Sequence, residues 1–464
     1  MLSKNQKLIL TVTDLNHLGY GVAKPDGFTV FVSGAVSGEV VEAVIIKVNH
    51  TYAIARAVKI LSASPLRTDA RCKNPVCRAC AYRDILYTEE CRLKETSVRM
   101  AFRKAGLSSV EVAPLLPSPL TTGYRNKAQY PIASDGKGGY LIGFYAPKSH
   151  RVTEAADCPL AARGFREILG TLRAFFEAHR LTVFDAASGR GVLRHVYLRR
   201  GEISGEVLLT LVVGEKVFPA EGELVRVLRE AHPEIVGILL NFNSEDTNVI
   251  LGREYRLLWG RDRMYDTLAG VTLGMTAPSF YQVNHAAAEI LYAKARELAA
   301  LTGRETLLDL YCGVGSIGLS MAKDAAEVIG VEIVESAARC AEENAAANGI
   351  ENAHFYAGDA ADTEGLLRRA EELRGAPIRP DVVILDPPRG GCDERTLDFV
   401  SSLKPSRIVY ISCNPETLAR DVAHLIPLGY APGIVTPVDM FPGTGHVESV
   451  VRLTLSTTKF AFGE

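Results

Sequence analysis

The chain has 464 residues, 47% hydrophobic and 23% charged, which gives several buried cores' worth of apolar material and a prior of about three domains. No uncharged apolar run approaches the ~18 residues of a membrane span, and the start, MLSKNQKLIL, lacks the apolar stretch and small-residue cleavage site of a signal peptide, so a cytoplasmic protein is expected. The net charge of −2 hides an asymmetry: residues 1–200 carry 29 Lys+Arg against 16 Asp+Glu, and residues 201–464 carry 23 against 38. Either the first half meets a polyanion or the two halves dock on each other by opposite charge.

Residues 6–60 read as short strands (QKLILTVTDL, FTVFVSGAV, GEVVEAVIIKV, YAIARAVKIL) separated by Gly, Asp and Asn turns, the pattern of a small OB-like barrel. LSASPLR reads as a linker. Residues 68–100 hold a cysteine-rich stretch and then a helix, TEECRLKETSVRMAFRKAG. Strands GVLRHVYLRR, GEVLLTLVVG and IVGILLNFN and the amphipathic helix REILGTLRAFFEAHR mix over 120–260. From about 266 helices alternate with continuous apolar strands: AAAEILYAKARELAAL, ETLLDLYC, SIGLSMAKDA, EVIGVEI, SAARCAEENAAANG, DVVILDPP and RIVYISCNP. That alternation signals a parallel α/β sheet of Rossmann type. The expected division is a barrel at 1–62, a basic α+β central domain at 63–265 and a Rossmann-like domain at 266–464.

Nine cysteines in a chain with no export signal argue against a disulfide framework. Cys72-x4-Cys77-x2-Cys80 is too dense for chance; three close thiolates imply a metal or a cluster. On spacing alone, iron–sulfur and structural zinc both stand. Cys91, Cys312, Cys340 and Cys392 read as packing residues.

The strand LLDLYC runs into GVGSIG, and a helix follows. Gly313, Gly315 and Gly318 let the backbone turn sharply beside a ligand, and Glu332 ends the next strand, where a carboxylate can accept ribose hydroxyls. This also fits a dinucleotide-binding dehydrogenase. Asp386-Pro387-Pro388-Arg389 and Ser412-Cys413-Asn414-Pro415 end two further strands, so three motif-bearing loops face one crevice. A dehydrogenase has no reason for DPPR, whereas a DPP tetrapeptide resembles the loop with which nucleic-acid methyltransferases hold a target base. Cys413 precedes helix-forming residues, and a helix start there is expected to lower its pKa. Glu448 enters an apolar strand; it reads equally as a general base with a raised pKa or as a salt-bridged strand end. His446 reads as structural.

Together DLYCGVGSIGL, DPPRGG, SCNPETLARD and HVESVVRL resemble the RNA (uracil-5-)methyltransferase family, most closely the branch that modifies 23S ribosomal RNA. That branch carries an N-terminal TRAM domain (an OB-like RNA-binding barrel) and a central iron–sulfur domain. The resemblance covers nearly the whole chain. It implies S-adenosyl-L-methionine as methyl donor, Cys413 as nucleophile and Glu448 as proton acceptor. It further implies cofactor contacts from Gln282, Tyr311, Gly313, Glu332 and Asp386, with Asp359 near the adenine. Cys158, in EAADCPLA, resembles the distant fourth ligand of a [4Fe–4S] cluster, although the first gap is four residues where the family's common pattern has five. YRNK at 124–127 and GVLRH at 191–195 also match, and Arg125, Lys127, Arg194 and Arg199 are candidate RNA contacts. The chemistry needs the thiol because uracil C5 is too poor a nucleophile until sulfur adds at C6, and the uridine must leave its stack to reach it. A tRNA T-loop substrate, or an RNA-binding protein with a decayed catalytic domain, are the rivals. No membrane partner is expected, and a monomer is.

Overall fold

The alternating pattern of the first 62 residues builds a six-stranded sheet from β1 (Lys7–Thr11), β2 (Asp14–Leu15), β3 (Tyr20–Ala23), β4 (Thr29–Ser33), β5 (Val40–Val48) and β6 (Tyr52–Ser62), in the order β1-β5-β6-β4-β3-β2. Val30, Val32, Val41, Ala43 and Ile45 point inward and are fully buried. The computed structural model describes residues 2–456 except 70, 71, 73, 75, 78, 148, 246, 359–362 and 376. The expected linker is not slack. Arg67 reaches back to the fully buried Glu39, Nε to Oε1 2.5 Å, and donates to Gly34 O at 3.0 Å. Burial works to raise the Glu39 carboxyl, but Arg67 and the Val36 N–H more than reverse it and hold it low. Gly19 has φ +77°, and a Cβ there would lie 2.1 Å from Ala81 O, so this barrel loop presses on the cysteine segment.

Helix α1 (Tyr87–Lys104) belongs physically to the last third of the chain. Its Val98 and Phe102, with Val112 and Leu115, share one core with Leu308, Leu385 and Tyr410. Bridges Val112↔Val435 and Leu116↔Val438 extend that union. The middle of the chain forms a second core around β7 (Lys127–Ser134), β8 (Tyr140–Tyr145), β9 (Val152–Glu154), α2 (Phe165–Ala178), β10 (Leu193–Arg200), β11 (Val207–Val213), α3 (Glu221–Ala231), β12 (Ile235–Phe242) and β13 (Glu254–Gly260), sheet order β13-β12-β11-β10-β7-β8-β9. A hairpin, β14 (Arg263–Leu268) and β15 (Val271–Thr276), leads onward.

The last sheet is built from α4 (His285–Ala299), β16 (Thr306–Leu310), α5 (Ser316–Met321), β17 (Glu327–Glu332), α6 (Glu335–Ala347), β18 (Ala353–Ala357), α7 (Thr363–Arg374), β19 (Val382–Leu385), α8 (Glu394–Ser402), β20 (Arg407–Ser412), α9 (Pro415–Leu425), β21 (Tyr430–Pro432), β22 (Thr436–Val438) and β23 (Glu448–Leu455). Its order is β18-β17-β16-β19-β20-β23-β21, with β22 also on β23. Leu307, Leu308, Val383, Ile384 and Val409 are fully buried, as strands covered on both faces require. The first five strands are parallel, as expected; β23 then returns antiparallel between β20 and β21. Among the described residues no helix is long and apolar enough to cross a membrane.

Candidate active site

Ligands of a parallel sheet gather beyond the carboxyl ends of its strands, and four strand ends here converge on a cavity of about 950 Å³. β16 contributes Tyr311 and the glycine loop. Tyr311 has φ +67°, a left-handed backbone unusual for a residue with a side chain, and its N–H and that of Cys312 both donate to Val331 O. The loop has no slack: a Cβ on Gly318 would sit 2.9 Å from Asp309 Oδ2, and one on Gly315 would sit 2.9 Å from the Phe355 ring. Glu332, ending β17, accepts the Gly313 N–H on Oε2 and the Val334 N–H on Oε1, each at 2.9 Å, which fixes its carboxylate at the cavity wall. Asp309 is buried beneath the loop and burial raises its carboxyl to about 7.

β19 ends at Asp386, whose carboxyl burial raises to about 7. β20 delivers Cys413 just ahead of α9, where the Asn414 side chain caps the helix by accepting the Glu416 N–H. The antiparallel ladder pairs Ser412 with Ser449, so Cys413 and Glu448 stand side by side at the end of β20 and the start of β23. Glu448 is 5% exposed. Burial, then Asp386, push its carboxyl up to about 8, and Arg389 only partly offsets this. No salt-bridge partner holds Glu448 among the described residues, which sets aside the salt-bridged alternative.

The expectation of a lowered thiol pKa at Cys413 is overturned. Burial pushes the thiol up to about 11, Glu448 adds to the rise, and Arg389 pulls only partly the other way. A helix start is a weaker influence than desolvation beside a carboxylate. Cys413 and Arg389 also line a second cavity of about 860 Å³, walled by α1, the barrel turn Asp14–His17 and residues 445–447. The thiol therefore stands between two openings. His446, read as structural, lies on this second wall with Nε2 3.4 Å from Arg389.

Gln282, Tyr311, Gly313, Glu332 and Asp386 all line the first cavity; Asp359 lies outside the described residues. Cys312 and Cys392 are buried as expected, and both also line that cavity. Phe280, 60% exposed on the cavity rim, and Phe441 were not singled out in the sequence. An aromatic two residues before Gln282 was the available signal for the first.

Cys72, Cys77, Cys80 and Cys158 are partly buried and free. Burial, then the Cys158, Cys77 and Cys72 sulfurs, push the Cys80 thiol up to about 12, and burial, with smaller contributions from the Cys72 and Cys77 sulfurs, also raises Cys158. Among the described residues no three side chains are already drawn into a metal-holding arrangement. Arg199 must be withdrawn as an RNA contact: it is 2% exposed and donates inward to Thr276 O and Ala277 O. Arg194 donates to the Asn243 and Glu245 carbonyls and lies over the Phe184 ring. Lys127, its pKa lowered to about 8 by burial and by Arg199 and Arg125, and Arg125 itself remain partly exposed.

A glycine loop, a carboxylate closing the next strand and a crevice beyond parallel strands define a nucleoside-cofactor-binding α/β fold, and comparison with known proteins makes it that of an S-adenosylmethionine-dependent methyltransferase. The family model for tRNA (uracil-5-)-methyltransferase matches residues 202–456, and that for the TRAM domain matches residues 3–58. The chain is 38% identical to an uncharacterized RNA methyltransferase of Halalkalibacterium halodurans, over 98% of each chain, and 38% identical to one of Clostridium tetani, over 98% and 97%. It also resembles the crystal structure of Pyrococcus abyssi tRNA (uracil-54, C5)-methyltransferase in complex with S-adenosyl-L-homocysteine: TM-score 0.76 and 28% identity over 96% of this chain and 99% of that one. The chain belongs to the RNA (uracil-5-)methyltransferase family, is an S-adenosylmethionine-dependent RNA methyltransferase and carries an N-terminal TRAM domain.

Proposed function

We propose that this enzyme methylates carbon 5 of a uracil in RNA through a covalent bond to Cys413, with Glu448 as the base. The observation that carries the reading is that Cys413 and Glu448, each next to the Ser412–Ser449 pair that ends the β20–β23 ladder, line the glycine-loop cavity together with Asp386. Cys413 adds to C6 as its thiolate, its proton having passed to solvent, and the electron pair of the C5–C6 double bond moves onto C5 and its neighbouring carbonyl. The bound sulfonium cofactor supplies the methyl group that C5 takes up. Glu448 accepts the C5 proton, the electron pair of that C–H bond re-forms the C5–C6 double bond, and the C6–S bond breaks to release the thiolate. A carboxyl raised to about 8 is poised to change protonation near neutrality. Gln282, Tyr311, Gly313, Glu332 and Asp386 hold the cofactor, and Asp359 is assigned to the adenine by resemblance to the family. Arg125 and Lys127 contribute to RNA binding.

The 23S ribosomal RNA is the substrate this reading favours, on the resemblance of the motifs and of the cysteine pattern to that branch. Full-length likeness to the archaeal enzyme named for tRNA uracil-54 keeps a tRNA T-loop as the second reading. Mapping 5-methyluridine after incubation with each RNA separates them. RNA carrying 5-fluorouridine tests the chemistry: fluorine does not leave as a cation, so a denaturation-stable adduct is expected, and its absence with active enzyme sinks the covalent route. We also infer that Cys72, Cys77, Cys80 and Cys158 hold a [4Fe–4S] cluster, supported by the other three sulfurs lying near enough to Cys80, and Cys72 and Cys77 near enough to Cys158, to act on those thiols. Stoichiometric iron and acid-labile sulfide are expected in the purified protein; stoichiometric zinc overturns this.

A further inference from the structure

Away from the reacting groups, one cluster of charges is sealed from water and touches the site through a short strap. Lys94, Glu90 and Asp439 each have fully buried side chains. Lys94 Nζ lies 2.7 Å from Glu90 Oε1, 2.7 Å from Asp439 Oδ1 and 3.0 Å from Phe441 O. Tyr87 donates to Asp439 Oδ2 at 2.9 Å, and the Gly443 N–H donates to Glu90 Oε1 at 2.6 Å. Two of the three Lys94 acceptors thus sit on residues 439–446, the segment that enters β23. The same strap is gripped elsewhere: the Tyr82 N–H donates to Gly443 O, Tyr124 Oη to Pro442 O and Asn284 Nδ2 to Met440 O. A Cβ on Gly445 would fall 1.9 Å from His17 O, so the barrel turn closes the last side.

We infer that Lys94 is a positioning residue for methyl transfer: with Glu90 and Asp439 it sets the 439–446 strap and, through it, the Phe441 wall of the cofactor cavity and the Glu448 carboxyl two residues beyond the strap. The inference rests on the site proposed above. A charge knot of this kind is a poor way to stabilise a fold, because desolvating three ions offsets most of their attraction, and apolar residues of similar volume often do as well or better. Helix α1 has no need of it for anchorage, since Val98 and Phe102 already bind it to the core beneath β20 and α9. What the knot adds is geometry. It holds a polar backbone turn that side-chain packing alone leaves free to slide, at the one place where the barrel, the cysteine segment, α1 and the catalytic sheet meet. A displacement of about 1 Å in a reacting group is enough to slow chemistry about a hundredfold.

The test uses full-length enzyme and compares Lys94→Met with the neutral triple variant K94M/E90Q/D439N, which removes the buried charge altogether. Wild-type enzyme must first form 5-methyluridine; if it does not, the proposed function fails and the knot is not at issue. Expected for both variants are a kcat lower by about ten- to a hundredfold with KM for RNA little changed, and an acid limb of the kcat profile moved to lower pH as Glu448 gains water. The triple variant is expected to regain thermal stability without regaining kcat. Wild-type kcat and an unmoved acid limb in either folded variant overturn the inference, as does a loss of kcat that merely tracks the unfolded fraction. Should neither fold, Glu90→Gln, which keeps an acceptor for Gly443, is read in the same assays with the same two outcomes.

Discussion

Replacing Glu448 with Gln should make the enzyme inactive and, at neutral and alkaline pH, more stable. The wild-type carboxyl ionises at about 4.5 in the unfolded chain and at about 8 in the folded one. A raised value means that the folded state favours the proton. The contribution is therefore present below pH 4.5 and is lost as pH rises through 8. Linkage puts the penalty relative to a neutral amide at about 1 kcal/mol at pH 5, about 3 kcal/mol at pH 7 and about 5 kcal/mol at pH 9, as upper bounds. Unfolding of cofactor-free Glu448→Gln and wild type by denaturant at those three pH values reads the difference directly. With the penalty discounted by half for relaxation of the site, the variant should still gain about 1–2 kcal/mol between pH 5 and 7, equal to about 2–8 °C in a domain of this size. A stability difference that does not change with pH, or one that grows in favour of the wild type as pH rises, refutes the argument that Glu448 is held protonated by burial.

On uridine-containing RNA the same variant should accumulate a covalent adduct and lose turnover by about 10²–10⁴-fold, since the C5 proton has no acceptor; gel-shift under denaturing conditions reads it. Cys413→Ala should form no adduct with 5-fluorouridine RNA while binding S-adenosylhomocysteine as wild type does, and an adduct there would place the nucleophile elsewhere. Gly318→Ala should lose about 1–3 kcal/mol of stability, and cofactor affinity with it, because the new methyl group meets Asp309 and Val328; unaltered calorimetric binding and melting contradict the tight loop. Arg67→Ala leaves Glu39 buried without its guanidinium and should cost about 3–5 kcal/mol at pH 7. Because Glu39 is held low in the fold, that loss should shrink as pH falls below its ordinary value of 4.5, which thermal melts at pH 4 and 7 check.

The catalytic sheet was legible because its strands are unbroken apolar runs and its loops carry residues with no packing purpose. Where reading failed, distant parts of the chain decided the outcome. ESVVRLTL reads alike as a parallel or an antiparallel strand, so the reversal of β23 was invisible. The pattern of α1 fixes which face is apolar but not which core receives it, and it gives no sign that Lys94 points inward to Asp439, far along the chain. The thiol of Cys413 was judged from its own helix, whereas Glu448 and burial set its pKa. Arg199 reads as an RNA contact, yet strand alternation at the end of β10 sends it into the interior and leaves its neighbour Arg200 partly exposed.

The reversal of the last strand has a mechanical consequence. The chain leaves the β20–β23 ladder at Ser412 and re-enters it at Ser449, so Cys413 and Glu448, one residue outside it, are spaced by hydrogen-bonded backbone, like the jaws of a locked caliper. Motion in α9 or β21 can change what surrounds the pair without opening or closing it. The rate of proton removal should therefore respond sharply to two movements: a displacement of the 439–446 strap that leads into Glu448, and a slip of β23 against β20, which would exchange Glu448 for Val447 or Ser449 at the jaw.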